Sequence, residues 1–212
     1  VQVRWTPMQG DGTLMFALER PGASADAGPY ADRIEIQNIK ARFPLPDVSA
    51  QYRRAGKWGH LQLAGIVRQI KWDDMLDDQF DLSGSEIGWG VNLSSNLKIK
   101  DDVLRLQAVY GEGIQNYMND APVDVGIQTN AGNAVTPITG KPLPILGLVA
   151  FYDRTWSSKW STTIGGSLVD IENSDLQAED AFRKGSYGLV NLLHHPAPLH
   201  DPVRVGRVGN KR

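Results

Sequence analysis

Four arginines occupy polar positions in four separate segments of alternating polarity. They are Arg4 in "VQVRWT", Arg53 in "VSAQYRR", Arg68 in "HLQLAGIVRQI" and Arg105 in "DDVLRLQAVYGEG". Because successive side chains of a strand point to opposite faces, each arginine lies opposite the large apolar residues of its own segment. A wall of guanidinium groups raises the local concentration of anions and offers forked donors to carboxylates. One arginine alone is better explained as a solvated residue, but four on the same predicted face favour a hydrated path for anions.

Three neutral polar residues share this predicted face with the arginines, namely Gln62, Gln107 and Asn92. We predict that they line the same path. Lys40 and Arg42 belong to a long Gly-, Ala- and Pro-rich segment, residues 20–46, that contains "RIEIQNIKARFPLPD". We predict that this segment folds inward as a constriction loop and brings both cations to the path.

Other kinds of site find little support in the sequence. The five aspartates of "DDMLDDQFD" lack the central glycine of a calcium loop and are better explained as a solvated loop. The adjacent His194 and His195 point to opposite faces of an extended chain, so we predict no metal site there. No nucleophile elbow and no zinc-protease motif is present, so we predict neither an enzyme nor a cofactor.

Alternating polarity dominates the chain, and the stretch 88–113, "GWGVNLSSNLKIKDDVLRLQAVYGEG", shows it best. Its large apolar residues fall on every second position and polar or small residues lie between them, which predicts a hairpin with one apolar and one polar face. In a soluble sheet the apolar face packs on a core. In an outer-membrane barrel it meets lipid, and the polar face lines a lumen. One hairpin is compatible with both arrangements.

The connections between the predicted strands favour the barrel. They alternate strictly between short, at 9–12, 55–58, 97–102 and 154–159, and long, at 20–46, 71–83, 111–142 and 171–184. An up-and-down barrel has tight turns at one rim and large loops at the other, whereas the Greek-key crossings of soluble sandwiches give no such regularity. We therefore predict an all-β fold, an antiparallel up-and-down transmembrane barrel, of which about nine strands are present.

Composition agrees with this prediction and excludes several classes. Hydrophobic residues make up 41% of the 212, glycine is plentiful at 22, and no run of apolar residues is long enough for a transmembrane helix. The net charge of −2 gives no reason to expect a nucleic-acid partner. The absence of cysteine excludes a disulfide scaffold. Aromatic residues near strand ends, including Trp72, suit interfacial girdles.

Whole strand–turn–strand blocks resemble a known group, the DcaP-like outer-membrane porins of Gram-negative bacteria. The blocks are "VRWT…GTLMFALERP", "WGHLQLAGIVRQI", "GWGVNLSSNLKI…DDVLRLQAVYGEG", "GNAVTPITGKPLPILGLVAFYDRTWSSKWSTTIGGS" and "VNLLHHP". The resemblance covers most of residues 1–196. It implies a sixteen-stranded, trimeric barrel in the outer membrane, in contact with lipid and lipopolysaccharide, which passes small hydrophilic solutes and prefers organic anions such as dicarboxylates.

The chain also departs from that family at its C-terminal end and in the number of its predicted strands. We expect residues 1–196 to be part of a barrel and 197–212, "APLHDPVRVGRVGNKR", to be an irregular, Pro-rich basic tail. The missing strands and signal peptide suggest a truncated copy whose reading frame departs from the family just after Pro196. The alternative is a soluble all-β binding module, such as a carbohydrate-recognising sandwich.

Overall fold

The computed structural model describes residues 2–118 and 121–196, so the predicted tail at 197–212 lies outside the described residues. The strands in chain order are β1 (Gln2–Met8), β2 (Gly12–Glu19), β3 (Ala25–Asp26), β4 (Ile39–Arg42), β5 (Asp47–Gly56), β6 (Gly59–Asp74), β7 (Gly84–Ile99), β8 (Asp102–Glu112), β9 (Val125–Thr129), β10 (Ile138–Pro142), β11 (Pro144–Ser157), β12 (Trp160–Ile171) and β13 (Lys184–His194). The helical elements are α1 (Ile34–Gln37) and two 3-10 turns, Gly28–Tyr30 and Gln115–Tyr117. Within the described ranges, no helix has the length and apolar character needed to cross a membrane.

Nine strands form one antiparallel sheet in the order β1-β2-β5-β6-β7-β8-β11-β12-β13. Short turns join β1 to β2, β5 to β6, β7 to β8 and β11 to β12, and longer excursions make the other connections. The predicted all-β antiparallel fold is thus confirmed. Closure into a barrel is not, because in the described part of the chain β1 and β13 are the two ends of the sheet and pair with one neighbour each.

The longer excursions carry the remaining elements. Strand β4 adds to the end of β6, and β3, β9 and β10 form a second, small sheet in the order β10-β9-β3. Hydrogen bonds tie the excursions to each other: the Leu143 N–H donates to the Asp124 carbonyl, and the Asp124 N–H donates to the Ser24 carbonyl. The long connections are therefore ordered structure attached to one end of the main sheet.

The register assigns every strand residue to one of two faces. Cross-strand partners share a face, and one row runs from Arg4 through Ala17, Ser49 and Ile66 to Gly90. We call the face with this row the inner face, because residues from β1 to β13 on this side line one cavity of about 790 Å³. The opposite side of the sheet is the outer face.

Large apolar side chains of the outer face are exposed. Leu63 and Val67 of β6 are 51% and 55% exposed, and Val190 of β13 is 70% exposed. Aromatic pairs add to this surface, since Trp5 stacks on Phe16 with ring centroids 5.8 Å apart. No layer of the described structure covers these residues, which is the reverse of the burial expected for a soluble sheet.

Trp72 does not join the outer aromatic residues, contrary to the girdle prediction. It shares the parity of Arg68 and so belongs to the inner face. Its indole N–H donates to the Leu82 carbonyl at 2.7 Å. The ring packs where a Cβ of Gly84 or Gly140 would otherwise lie. Glycine at those two positions makes room for the indole beneath the long excursions.

The buried hydrophobic core is small and lies on the inner side. Its main cluster is Ile114, Leu143, Ile145 and Ile171, each at most 3% exposed. Ile114 packs over the paired glycines Gly90 and Gly111 of β7 and β8. The core thus joins one long excursion to the wall of the sheet.

We expect Gly111→Ala to destabilise the protein by about 1–3 kcal/mol, because overpacking a filled site forces backbone shifts. The new Cβ would clash with the Trp89 carbonyl oxygen and would lie 2.6 Å from Gly90 Cα. Urea unfolding of the detergent-refolded protein, followed by tryptophan fluorescence, measures the loss. Gly188→Ala is the matched control, since a Cβ there meets none of the described atoms within 4 Å. Equal midpoints for the two variants would contradict the packing described for β7 and β8.

Candidate functional site: the inner face

A continuous row of polar side chains runs across five neighbouring strands of the inner face. Thr13, Arg53, Gln62, Ser94 and Gln107 are direct cross-strand partners on five successive strands, β2, β5, β6, β7 and β8. We call these five residues the polar row. Three of the residues predicted to line the path, Arg53, Gln62 and Gln107, therefore belong to one row. The arrangement offers amide, hydroxyl and guanidinium donors along one line.

The other predicted residues of this face lie close to the polar row. Asn92 precedes Ser94 by two residues, and Arg105 precedes Gln107 by two residues, so both point to the same side. Arg4 belongs to the same face on β1. Arg4, Asn92 and Gln107 line the cavity of about 790 Å³. Arg53, Gln62 and Arg105 lie on the same face, nearer to the short turns.

The three arginines differ in how their charge is balanced. Arg105 donates to Asp153 at 2.6 Å in a half-exposed ion pair. Arg4 donates to the Gln2 side chain at 2.7 Å. Among residues 2–118 and 121–196, no carboxylate pairs with Arg4 or Arg53. These two guanidinium groups are therefore not neutralised by a carboxylate of the described ranges.

Arg68 shares the inner face but does not line the path, which corrects the sequence prediction. Its side chain is 1% exposed and forms ion pairs with Asp47 and Asp124, at 3.2 Å and 3.1 Å. It also donates to the Gly113 carbonyl at 3.1 Å and to the Gly22 carbonyl. Alternation predicted the face correctly. The excursions between β2 and β5 and between β8 and β11 bury the residue. Strand parity predicts the face of a residue but not whether a loop covers it.

Neighbouring groups complete the surroundings of Arg68. Tyr117 places its ring 5.2 Å from the guanidinium carbon and donates its hydroxyl to Asp47 at 2.6 Å. Burial, and then the Asp47 carboxylate, raise the pKa of Tyr117 well above its usual range, so the hydroxyl stays a donor. Asp124 accepts from the backbone N–H groups of Ser24 and Asn116. Burial raises the pKa of Asp124, and these donors and Arg68 oppose that shift.

Lys40 and Arg42 lie away from the other candidates, which corrects the prediction of a constriction loop at these two residues. They belong to β4, where Lys40 pairs with Asp73 and Arg42 pairs with Lys71. Lys71 has the opposite parity to Arg68, so this pair belongs to the outer side of β6. Arg42 donates to Asp73 at 2.7 Å. Antiparallel pairing with the end of β6 keeps the segment on the rim instead of turning it inward.

A different stretch lies against the inner face, and sequence analysis treated it only as a long loop. We call residues 113–118 and 121–124 the inward segment. Three of its side chains, Ile114, Tyr117 and Met118, line the cavity of about 790 Å³ together with Arg4 and Asn92. The apolar residues among polar ones in "GIQNYM" offered a weak signal, because they show no helical or strand period.

No set of three or more histidine, aspartate or glutamate side chains in the described ranges is arranged to hold a metal ion. The buried carboxylates Asp47 and Asp124 are instead directed at the cation of Arg68.

An antiparallel sheet of successive hairpins, apolar and exposed on one face and polar around a cavity on the other, has the arrangement of part of a porin wall. A structure comparison agrees: the crystal structure of the outer membrane channel DcaP of Acinetobacter baumannii matches with a TM-score of 0.67 and 14% sequence identity. The match covers 92% of this chain and 52% of that chain, so the chain spans about half the length of that channel. No protein-family model matches the sequence. No curated protein matches it either.

Proposed function

We propose that the chain forms the wall of an outer-membrane porin, through which small hydrophilic solutes diffuse passively. The observation that carries this proposal is the reversal of the two faces. Apolar side chains such as Leu63 and Val67 are exposed on the outer face, and the polar row with its neighbours lies on the inner face. Lipid outside and water inside account for both surfaces at once.

We further propose that the path prefers organic anions, with dicarboxylates as the best-fitting class. Arg4 and Arg53 have no carboxylate partner in the described ranges and lie on the inner face with the half-exposed Arg105. A guanidinium without an ion-pair partner attracts anions, and it binds a carboxylate through two parallel hydrogen bonds.

The outer face and the sheet edges imply the partners of the protein. Exposed apolar residues would contact outer-membrane lipid, and the rim formed by the long excursions would face lipopolysaccharide. Unpaired N–H and C=O groups cannot face hydrocarbon, so the free edges of β1 and β13 must be paired by further strands in a membrane. We propose a closed barrel of that kind, assembled as a homotrimer as the family resemblance implies. The soluble carbohydrate-binding alternative leaves the exposed outer face unexplained.

Ion selectivity in a planar lipid bilayer tests this function. The protein is reconstituted with the strands that close the sheet, a tenfold gradient of potassium chloride is applied, and the reversal potential is recorded. We expect stepwise conductance. We also expect the sign of the reversal potential to show that chloride is more permeant than potassium. Addition of a dicarboxylate such as succinate should reduce the chloride current. Absence of conductance would contradict the proposal, and so would a reversal potential whose sign shows that potassium is more permeant than chloride.

A further inference from the structure

We propose that Arg68 is a latch that holds the inward segment against the inner wall and thereby sets the size limit of the solute path. The inference rests on the proposed function, because a size limit has meaning only for a channel. Arg68 is a positioning residue in this account: it acts through the inward segment and does not touch the solute.

The contacts of Arg68 join the wall to both ends of the inward segment. The side chain extends from β6 and pairs with Asp47 of the neighbouring strand β5. It donates to the carbonyl of Gly113, where the inward segment begins, and pairs with Asp124, where it ends. One guanidinium thus fixes two points of the chain that are eleven positions apart in sequence.

The ion pairs of Arg68 are buried, so loss of the guanidinium is costly. The side chains of Arg68, Asp47 and Asp124 are at most 1% exposed. Removing the cation leaves two carboxylates buried without their partner, which strongly destabilises the arrangement that buries them. Moving the inward segment away from the wall would hydrate Asp124 and relieve that cost. Loss of Arg68 therefore favours release of the inward segment.

Glycines of the inner wall leave room for side chains of the inward segment in its latched position. A Cβ at Gly147 of β11 would lie 2.7 Å from Met118 Cε, and Ile114 fills the space above Gly90. Tyr117 and Met118 line the cavity, so they occupy space that a solute would otherwise use. Release would enlarge the path without changing the arginines on the inner face.

Thiol labelling tests the latch directly, because the chain contains no cysteine. An Ile114→Cys variant in detergent is reacted with a water-soluble methanethiosulfonate reagent, with and without Arg68→Met, because residue 114 is only 3% exposed while the inward segment lies against the wall. We expect Arg68→Met to raise the labelling rate at least about tenfold, since the buried carboxylates lose their cation. Arg42→Met is the matched control, because it removes an arginine ion pair on the outer side of the rim. An unchanged rate with Arg68→Met would overturn the latch.

Milder variants keep the test decisive if Arg68→Met does not fold, as judged by far-ultraviolet circular dichroism. Arg68→Lys retains the charge but loses the fork, so it should raise the labelling rate less than Arg68→Met. Asp124→Asn removes the charge at the end of the inward segment and one of the two oxygens that accept from Ser24 and Asn116, so it should also raise the rate. Equal rates for both variants and the parent would overturn the proposal.

Exclusion of polyethylene glycols of increasing size then measures the path itself. Arg68→Met should admit larger polymers and leave the sign of the reversal potential unchanged, because Arg68 does not face the path. Faster labelling without a change in the exclusion limit would overturn the size-limiting role. If the parent protein and all variants label as expected but none conducts, the proposed channel function fails while attachment of the inward segment by Arg68 stands.

Discussion

A Leu63→Arg variant should fail to enter lipid vesicles under conditions in which the parent protein enters. Leu63 lies on the outer face, between Leu61 and Val67, and is 51% exposed. An arginine on the lipid-facing side of a barrel strand costs about 2–4 kcal/mol near the middle of the bilayer. Flotation of vesicles after refolding measures the fraction of protein that has inserted.

The neighbouring residue supplies the control. Gln62→Arg introduces the same side chain one position along β6, where the register places it in the polar row. Because adjacent residues face opposite sides, we expect this variant to insert like the parent protein. If both variants insert equally well, the outer face does not contact lipid.

Charge reversal in the polar row should change ion selectivity strongly. Two unit charges 4 Å apart in water interact by about 1 kcal/mol, so Arg53→Glu should lower the ratio of chloride to potassium permeability by at least roughly fivefold. Arg53 is the cationic member of the polar row and has no carboxylate partner among the described residues. Reversal potentials in a potassium chloride gradient give the ratio.

The next residue again provides a matched variant. Arg54 pairs with Gly12 and Leu61 and therefore belongs to the outer face. Arg54→Glu makes the same change of net charge on the other side of the strand, so it should leave the permeability ratio nearly unchanged. Equal shifts from the two substitutions would show that selectivity follows net charge and not the inner face.

Strand parity was sufficient to predict the sheet and the side to which each residue points. The alternation in "HLQLAGIVRQI" separates Gln62 and Arg68 from Leu63, and the register confirms that separation. The regular order of short and long connections predicted successive hairpins, which the nine-stranded sheet confirms. Periodicity works here because a side chain's face depends only on its position in its own strand.

The contents of the long excursions could not be predicted in the same way. Arg68 has the pattern of an exposed inner residue, and its burial depends on Asp124 and Gly22, which are distant in sequence. The segment 20–46, with Lys40 and Arg42, was expected to turn inward. Residues 39–42 pair with β6 instead, and Ile114 and Tyr117 turn inward. These arrangements depend on tertiary contacts that have no period in the sequence.

A nitroxide scan along β7 tests the central claim, that the apolar face meets lipid and the polar face meets water. Single cysteines at Val91, Asn92, Leu93 and Ser94 are spin-labelled after reconstitution into vesicles, which is straightforward in a chain without native cysteine. We expect molecular oxygen, which concentrates in the bilayer, to relax the label most at Val91 and Leu93. A water-soluble nickel chelate should act most at Asn92 and Ser94. Stronger nickel relaxation at Val91 and Leu93 than at their neighbours would contradict the account.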